Sequence, residues 1–174
     1  YNHQNKFNGQ KIDYKILEKF KTKIKYFYIE KKFKNASSWE IENEQRNNIA
    51  LGLINSKKDD IIIVSDVDEI PKLKNINFDK IGNEIICFNQ IHFMYKLNLA
   101  NKKAWLGTKL CRKKNLKSPQ WLRHLKMHKR YSILRIDKIF FAENYYHTFQ
   151  IKTDGGWHIG WIRHQDDIIK KIYS

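Results

Sequence analysis

The segment Asp60-Ile61-Ile62-Ile63-Val64-Ser65-Asp66-Val67-Asp68-Glu69-Ile70-Pro71 concentrates the residues of this chain that could do chemistry. Four β-branched apolar residues in a row read as a buried strand. The strand gives way to Asp66, Asp68 and Glu69, and Pro71 bars simple continuation of regular structure. Carboxylates at i and i+2, just past a strand end, can converge on one hard cation. In an open α/β sheet, ligands bind at the carboxyl ends of the strands. Asp66 and Asp68 therefore stand where a metal-bound phosphate is expected. The plain alternative is a solvated acidic turn after a core strand, because a bare Asp-x-Asp is short and common.

Several elements must position this segment. Residues 14–20 read as a short helix, and 24–29 alternate like a strand. Ser37 followed by Glu40 is a capping-box pattern that opens a helix to about Asn55. On it Trp39, Glu42, Arg46, Ile49 and Leu53 fall on one stripe, with Glu42 and Arg46 spaced for an i, i+4 pair. Residues 57–60 form a turn into the acid-tipped strand. Residues 85–95 and 104–112 are strand candidates joined by a hairpin loop over 98–103. Ser118-Pro119 starts a helix to about Lys129, with proline at its first position. Residues 133–136 and 139–141 are short strands. Gly155-Gly156 is a break, and 157–162 alternate, setting Trp157 and His158 on opposite faces. Residues 165–173 read as a last helix. This order predicts an α/β sandwich with an antiparallel extension.

With 174 residues, 41% hydrophobic and 14% aromatic, the chain can bury one core and is globular rather than disordered. No repeat or linker divides it, so 1–174 reads as a single domain. No apolar run is long enough to cross a bilayer, and no signal peptide is visible at the start. Cys87 and Cys111 make no disulfide framework. Cys87 lies in an apolar run and is expected as a buried free thiol, which fits a reducing compartment. The net charge of +16 suits a phosphate-bearing substrate, an anionic surface or nucleic acid. Its lysines are scattered beside many Asn and Ile, which favours biased composition plus a phosphate-bearing substrate. Arg112-Lys113-Lys114 and the basic segment 123–130 could grip diphosphate, although a solvated helix face is the simpler reading of the second. His92, His124, His128, His147 and His164 have no compelling metal-ligand spacing.

Three segments taken together resemble glycosyltransferase family 17: Trp39-Glu40-Ile41-Glu42-Asn43-Glu44-Gln45-Arg46-Asn47, then Val64-Ser65-Asp66-Val67-Asp68-Glu69-Ile70-Pro71, then Gly155-Gly156-Trp157-His158. The opening Phe7-Asn8-Gly9-Gln10-Lys11 is similar to the family's Thr-Phe-x-Gly-x-Lys stretch, with Lys6 in place of Thr. The resemblance covers nearly the whole chain, and it implies that the chain begins after the family's first strand and stops before the family's end. It implies a GT-A-like nucleotide-diphospho-sugar transferase fold, a mixed sheet flanked by helices. It also implies inverting transfer of a sugar, typically N-acetylglucosamine, from a UDP-sugar donor to a glycan or lipid-linked saccharide. A cytoplasmic site with peripheral membrane association is the expected setting. The implied cofactor is Mn²⁺, or Mg²⁺. Asp68 would bind it directly and Asp66 through ribose or water, with His158 as a late ligand favouring Mn²⁺. Gly155 and Gly156 would let backbone approach a phosphate or sugar, and Arg46 would reach the donor or orient the acids. Glu69 and Asp154 are the two candidate general bases. Trp105, Trp121 and Trp161 could each stack on a sugar, against the commoner role of core tryptophan.

Two other classes remain open at this stage. Haloacid-dehalogenase phosphatases also place Asp-x-Asp after a strand, but the following Glu69-Ile70-Pro71 departs from their pattern. A basic nucleic-acid-binding module would explain the charge. It has no use for Asp66 and Asp68, and no nucleic-acid motif is evident, so no nucleic-acid partner is expected.

Overall fold

The structure, a computed structural model, describes residues 18–27, 36–74, 76–127, 146–162, 166 and 169. The chain divides into two compact units, Tyr1–Asn55 and Ser56–Ser174.

In the first unit, a 3-10 helix spans Glu18–Lys23, and residues 24–27 form no strand. Positions 14–17 and 28–29 lie outside the described residues. Helix α1 spans Ser38–Asn48. Its capping box forms: the Ser37 hydroxyl accepts from the Glu40 N–H, and the Glu40 carboxylate accepts from the Ser37 N–H at 2.7 Å. The helix tightens into a 3-10 turn over Ile49–Leu53, where Gly52 weakens α-helical propensity. The expected apolar stripe is not the buried face. Ile41 is buried, whereas Trp39 is 65% exposed.

The second unit is built on a mixed sheet. Its strands are β1 (Ile61–Val64), β2 (Glu69–Pro71), β3 (Ile86–Tyr95), β4 (Trp105–Arg112), β7 (Gln150–Lys152) and β8 (Gly156–Ile162). Their order is β1-β4-β3-β8-β2, with β7 also on β3. β3 runs antiparallel to β4 and parallel to β7 and β8. β5 (Lys126–Met127) and β6 (Tyr146–His147) form a separate parallel pair. Among the described residues β1 ends the strand order, and it runs antiparallel to β4. Ile62 and Val64 are buried while Ile61 and Ile63 are half-buried. The start of β1 is tied to the end of β4. The Arg112 guanidinium donates to the carbonyls of Ile81 and Asp59, and Lys114 pairs with Asp59 at 3.0 Å.

Alternation along β3 puts Ile86, Phe88, Gln90 and His92 on one face. Ile86 and Phe88 join Ile81 and Leu110 in the apolar core, with Ile61, Ile63 and Ile76 packed against it. Gln90 and His92 carry the same face into polar territory, and both are buried. The irregularities lie in the partners of β3. Between Cys87 and Asn89, β4 advances from Lys109 to Leu106; between His92 and Met94, β8 advances from His158 to Trp161. Each partner thus carries one extra residue, the mark of a bulge.

Helix α2 spans Pro119–His124, with the Ser118 hydroxyl accepting from the Trp121 N–H at 3.0 Å and proline in its first turn. It buries Leu122 and Pro119. It stops well short of the expected Lys129, because Leu125 turns into the core in an extended conformation and residues 126–127 pair with β6. The expected strands at 133–136 and 139–141 lie outside the described residues. Of the expected last helix, positions 166 and 169 are helical and the others lie outside. Both cysteines are free and buried.

Candidate functional site

Pairing in the sheet brings distant residues together. Glu69 on β2 lies opposite His158 on β8, and His158 lies beside His92 on β3. Trp105 on β4 lies opposite Gln90. The Glu69 side chain is fully enclosed. Its Oε1 accepts from Trp105 Nε1 and from Arg123 Nη2, each at 2.6 Å. Its Oε2 accepts from the Thr108 hydroxyl at 3.1 Å and from the Asp66 N–H at 3.4 Å. Thr108 in turn lies 2.7 Å from the Ser65 hydroxyl.

The same Arg123 nitrogen also donates to Asp66 Oδ2 at 2.8 Å. The Arg123 side chain is only 9% exposed. Its backbone carbonyl accepts from Lys109 Nζ at 2.9 Å, and Lys109 is itself buried. Burial pushes the Lys109 amine below its usual range, while the carboxylates of Glu69 and Asp66 push the other way. Arg123 is thus paired with both acids, and the buried Lys109 adds a second positive charge near them. A buried charge is tolerated only when it is paired and hydrogen-bonded in this way.

Asp68 stands apart from that group. Its carboxylate is 37% exposed and its Oδ2 lies 3.5 Å from His158 Nε2. The Ile159 N–H donates to the Asp68 carbonyl at 2.9 Å, fixing the loop against β8. The His158 ring is stacked flat on Trp105, with centroids 4.4 Å apart and planes at 9°. His92 tilts against it at 4.5 Å. Burial and then the neighbouring His158 hold His92 below the usual imidazole range, with Asp68 opposing. Three buried atoms facing this region have no hydrogen-bond partner: Gln90 Oε1, His92 Nε2 and His158 Nδ1.

Two glycines make the crowding possible. A Cβ on Gly160 would overlap Asp68 Oδ2 and sit 3.0 Å from His158 Nε2. One on Gly107 would overlap Gln90 Oε1 and crowd Glu69 Oε1 and Trp105.

The structure thus gathers Asp66, Asp68, Glu69 and His158 but gives them unequal settings. Asp66 faces Arg123, and Glu69 is saturated with donors. Among the described residues, no group of three or more His, Cys, Asp and Glu side chains is placed to hold a metal ion. Asp68 and His158 do fit two positions of one, since donors this close can share an ion with bonds near ~2.1 Å. The remaining positions would fall to phosphate oxygens and water, as is common for Mg²⁺.

Asp154 lies past the opposite end of β2, exposed, in a left-handed conformation and paired with Lys72. Gly155 and Gly156 have a packing reason for being glycine. The Gly155 N–H donates to the Asn89 carbonyl at 2.8 Å and its carbonyl accepts from the Lys72 N–H at 3.0 Å. A Cβ at Gly155 would lie 2.6 Å from the Asn89 nitrogen, and one at Gly156 would overlap the Ile70 carbonyl. These glycines let β8 enter between β3 and β2. Arg46 belongs to the first unit and pairs with Glu42. Lys117 lies over the Trp121 ring at 5.4 Å. Trp161 sits in β8 beside Met94.

Thr108, Gly107 and Gly160 are not singled out by the sequence, whereas His92 is set aside there for want of metal-ligand spacing and Arg123 enters only within the basic segment 123–130. Arg123 sat in a segment that reads as a solvated helix face. One signal was legible. Trp105 and His158 are each followed two positions later by glycine, and an isolated glycine in a strand marks close approach by another group.

The sequence model described as Glycosyltransferase family 17 matches residues 2–174. No curated protein matches the chain, and no solved structure does.

Proposed function

The chain belongs to glycosyltransferase family 17, and we propose that Asp68 and His158 form the donor-binding centre of a metal-dependent, inverting transferase acting on a UDP-sugar. The fold is α/β and GT-A-like, a mixed sheet with α2 against it, and the family's activity is sugar transfer. N-acetylglucosamine is the donor sugar of this reading, and a glycan or lipid-linked saccharide is the acceptor.

The observation that carries the reading is the approach of Asp68 Oδ2 to His158 Nε2 in a half-exposed position. Mn²⁺ or Mg²⁺ held there would act as a Lewis acid toward the oxygens of the leaving diphosphate. The chain's own residues prepare that position. Trp105 fixes the His158 ring by stacking, and Glu69 fixes Trp105 through its indole N–H. Arg123 neutralises Asp66 and Glu69. Asp68 is then the acid left to face a dianionic ligand, which limits the repulsion that three bare carboxylates would exert.

Glu69 is an organiser in this reading rather than the base. An acceptor hydroxyl needs an accessible carboxylate oxygen within about 2.6–3.2 Å, and the enclosed Glu69 oxygens already hold their donors. Asp154 is exposed and keeps the candidacy only for an acceptor that reaches past the far end of β2, where it pairs with Lys72.

The test is UDP release from UDP-N-acetylglucosamine over a panel of glycan acceptors, with Mn²⁺ and then with chelator. Release should require both acceptor and metal, and the new linkage should show inverted anomeric configuration by NMR. Metal-independent release would remove the Asp68–His158 role, and retained configuration would remove the inverting mechanism.

A further inference from the structure

We propose that the tip of the β3–β4 hairpin docks this protein on an anionic lipid surface. The tip is pre-shaped. Phe93 and Ala100 form a bridge. The Met94 N–H donates to the Leu99 carbonyl at 2.8 Å, the Leu99 N–H to the Lys96 carbonyl at 3.1 Å, and the Asn101 N–H to the His92 carbonyl at 2.7 Å. Backbone held by its own hydrogen bonds loses little entropy on docking.

What the tip presents is apolar at its point and basic around it. Leu97 is 68% exposed and Leu99 48%, with Lys96, Lys102 and Lys103 exposed beside them. The surrounding sequence is poor in acids. Between Glu84 and Asp137 there are 13 Lys and Arg and no Asp or Glu. Lys109 and Arg123 of this stretch are buried, and Lys114 pairs with Asp59, so the cations at the tip itself are Lys96, Lys102 and Lys103.

A bilayer fits this combination better than a protein does. Two leucines on a convex turn cannot build the roughly 1,000 Å² that a specific protein interface needs. They can enter the headgroup–acyl boundary, where no matching shape is required, while lysines reach the phosphates. Nucleic acid would use the lysines and leave the leucines idle. Among the described residues no helix is long and apolar enough to cross a membrane. The hairpin continues directly from His92. Five residues at ~3.3 Å each keep the candidate site within about 17 Å of the lipid along β3. The inference does not depend on which sugar or metal the site takes.

The test is co-sedimentation with vesicles of phosphatidylcholine alone and with phosphatidylglycerol added, at low and high salt. The intact chain should bind the anionic vesicles much more strongly and lose binding as salt rises. Leu97→Asn with Leu99→Asn, which leaves net charge unchanged, should weaken binding roughly tenfold per leucine. Lys96→Gln, Lys102→Gln and Lys103→Gln together should weaken it by about fivefold per lysine. All three proteins should melt at similar temperatures, since the altered side chains are exposed. Two results would overturn the proposal. One is no binding to anionic vesicles. The other is binding that the leucine pair leaves intact and that an RNA competitor removes, which would assign it to diffuse positive charge.

Discussion

One face of β3 carries two unlike halves. At its first end Ile86 and Phe88 pack into an apolar cluster with Ile81 and Leu110. At its far end Gln90 and His92 meet Trp105 and His158 beside a saturated carboxylate. The same strand, with the same alternation, builds a hydrophobic core and then a polar interior. Depth alone does not set the halves apart, since Phe88, Gln90 and Thr108 are all fully buried. They differ in how their contents are specified. The apolar half needs volume and little direction. The polar half needs donors for the buried Glu69 carboxylate, at hydrogen-bonding distance and angle. It draws these from separate segments: Trp105 and Thr108 on β4, Arg123 on α2 and the Asp66 backbone.

The strongest test of this contrast compares a large truncation in each half. Phe88→Ala should cost about 3–5 kcal/mol in denaturant unfolding, through lost transfer energy and a cavity. Glu69→Ala should cost a similar amount, about 3–5 kcal/mol, for another reason: Arg123 would keep a buried charge with half its compensation. The halves then separate under conservative replacement. Phe88→Leu should recover most of the loss, whereas Glu69→Gln should recover little, because the charge is what Arg123 requires. Recovery by Glu69→Gln to near the parent stability would break the comparison.

A second test uses pH. Burial pushes the Cys111 thiol up to about 11 from an ordinary value of 9.0. Well below pH 9 the thiol is neutral folded and unfolded alike, and the raised value has no effect. As pH rises from 9 toward 11 the unfolded chain ionises while the folded chain holds its proton, so stability falls across that window. Cys111→Ala should flatten the decline over this range. In the native state both cysteines should resist alkylation, since burial raises Cys87 as well; rapid labelling at pH 8 would contradict their enclosure.

The smallest expected effect on stability falls on the site itself. Gly160→Ala should destabilise by about 1 kcal/mol, because the group it overlaps is the end of the flexible, half-exposed Asp68 side chain, and the buried His158 Nε2 at 3.0 Å need give only slightly. Donor binding should nevertheless drop at least tenfold. A Gly160→Ala protein that binds donor normally would show that Asp68 need not lie against His158.

How much of this was legible in the sequence follows the same division. The strand ending in acids, the two long strands of the hairpin, the capping box and the proline-led helix were all readable, because each is written in a local pattern. Placing Trp157 and His158 on opposite faces also followed from alternation, and Trp157 is exposed where His158 is buried. Local pattern failed where partners decide. Residues 24–27 alternate but form no strand, and α2 stops where Leu125 finds the core. The candidate site was half legible. The acids advertise themselves, but their division of labour does not. Nothing near Asp66 in sequence reveals that Arg123, 57 positions later, neutralises it.

The most direct test of the account is calorimetric binding of UDP, with and without Mn²⁺, to the parent chain and to Asp68→Asn and Asp66→Asn. The account predicts metal-dependent binding that Asp68→Asn abolishes while leaving the melting temperature nearly unchanged. Asp66→Asn should instead lower the melting temperature, by upsetting the charge balance around Arg123. Undiminished, metal-dependent UDP binding by Asp68→Asn would contradict the central claim that Asp68, rather than its paired neighbours, faces the donor.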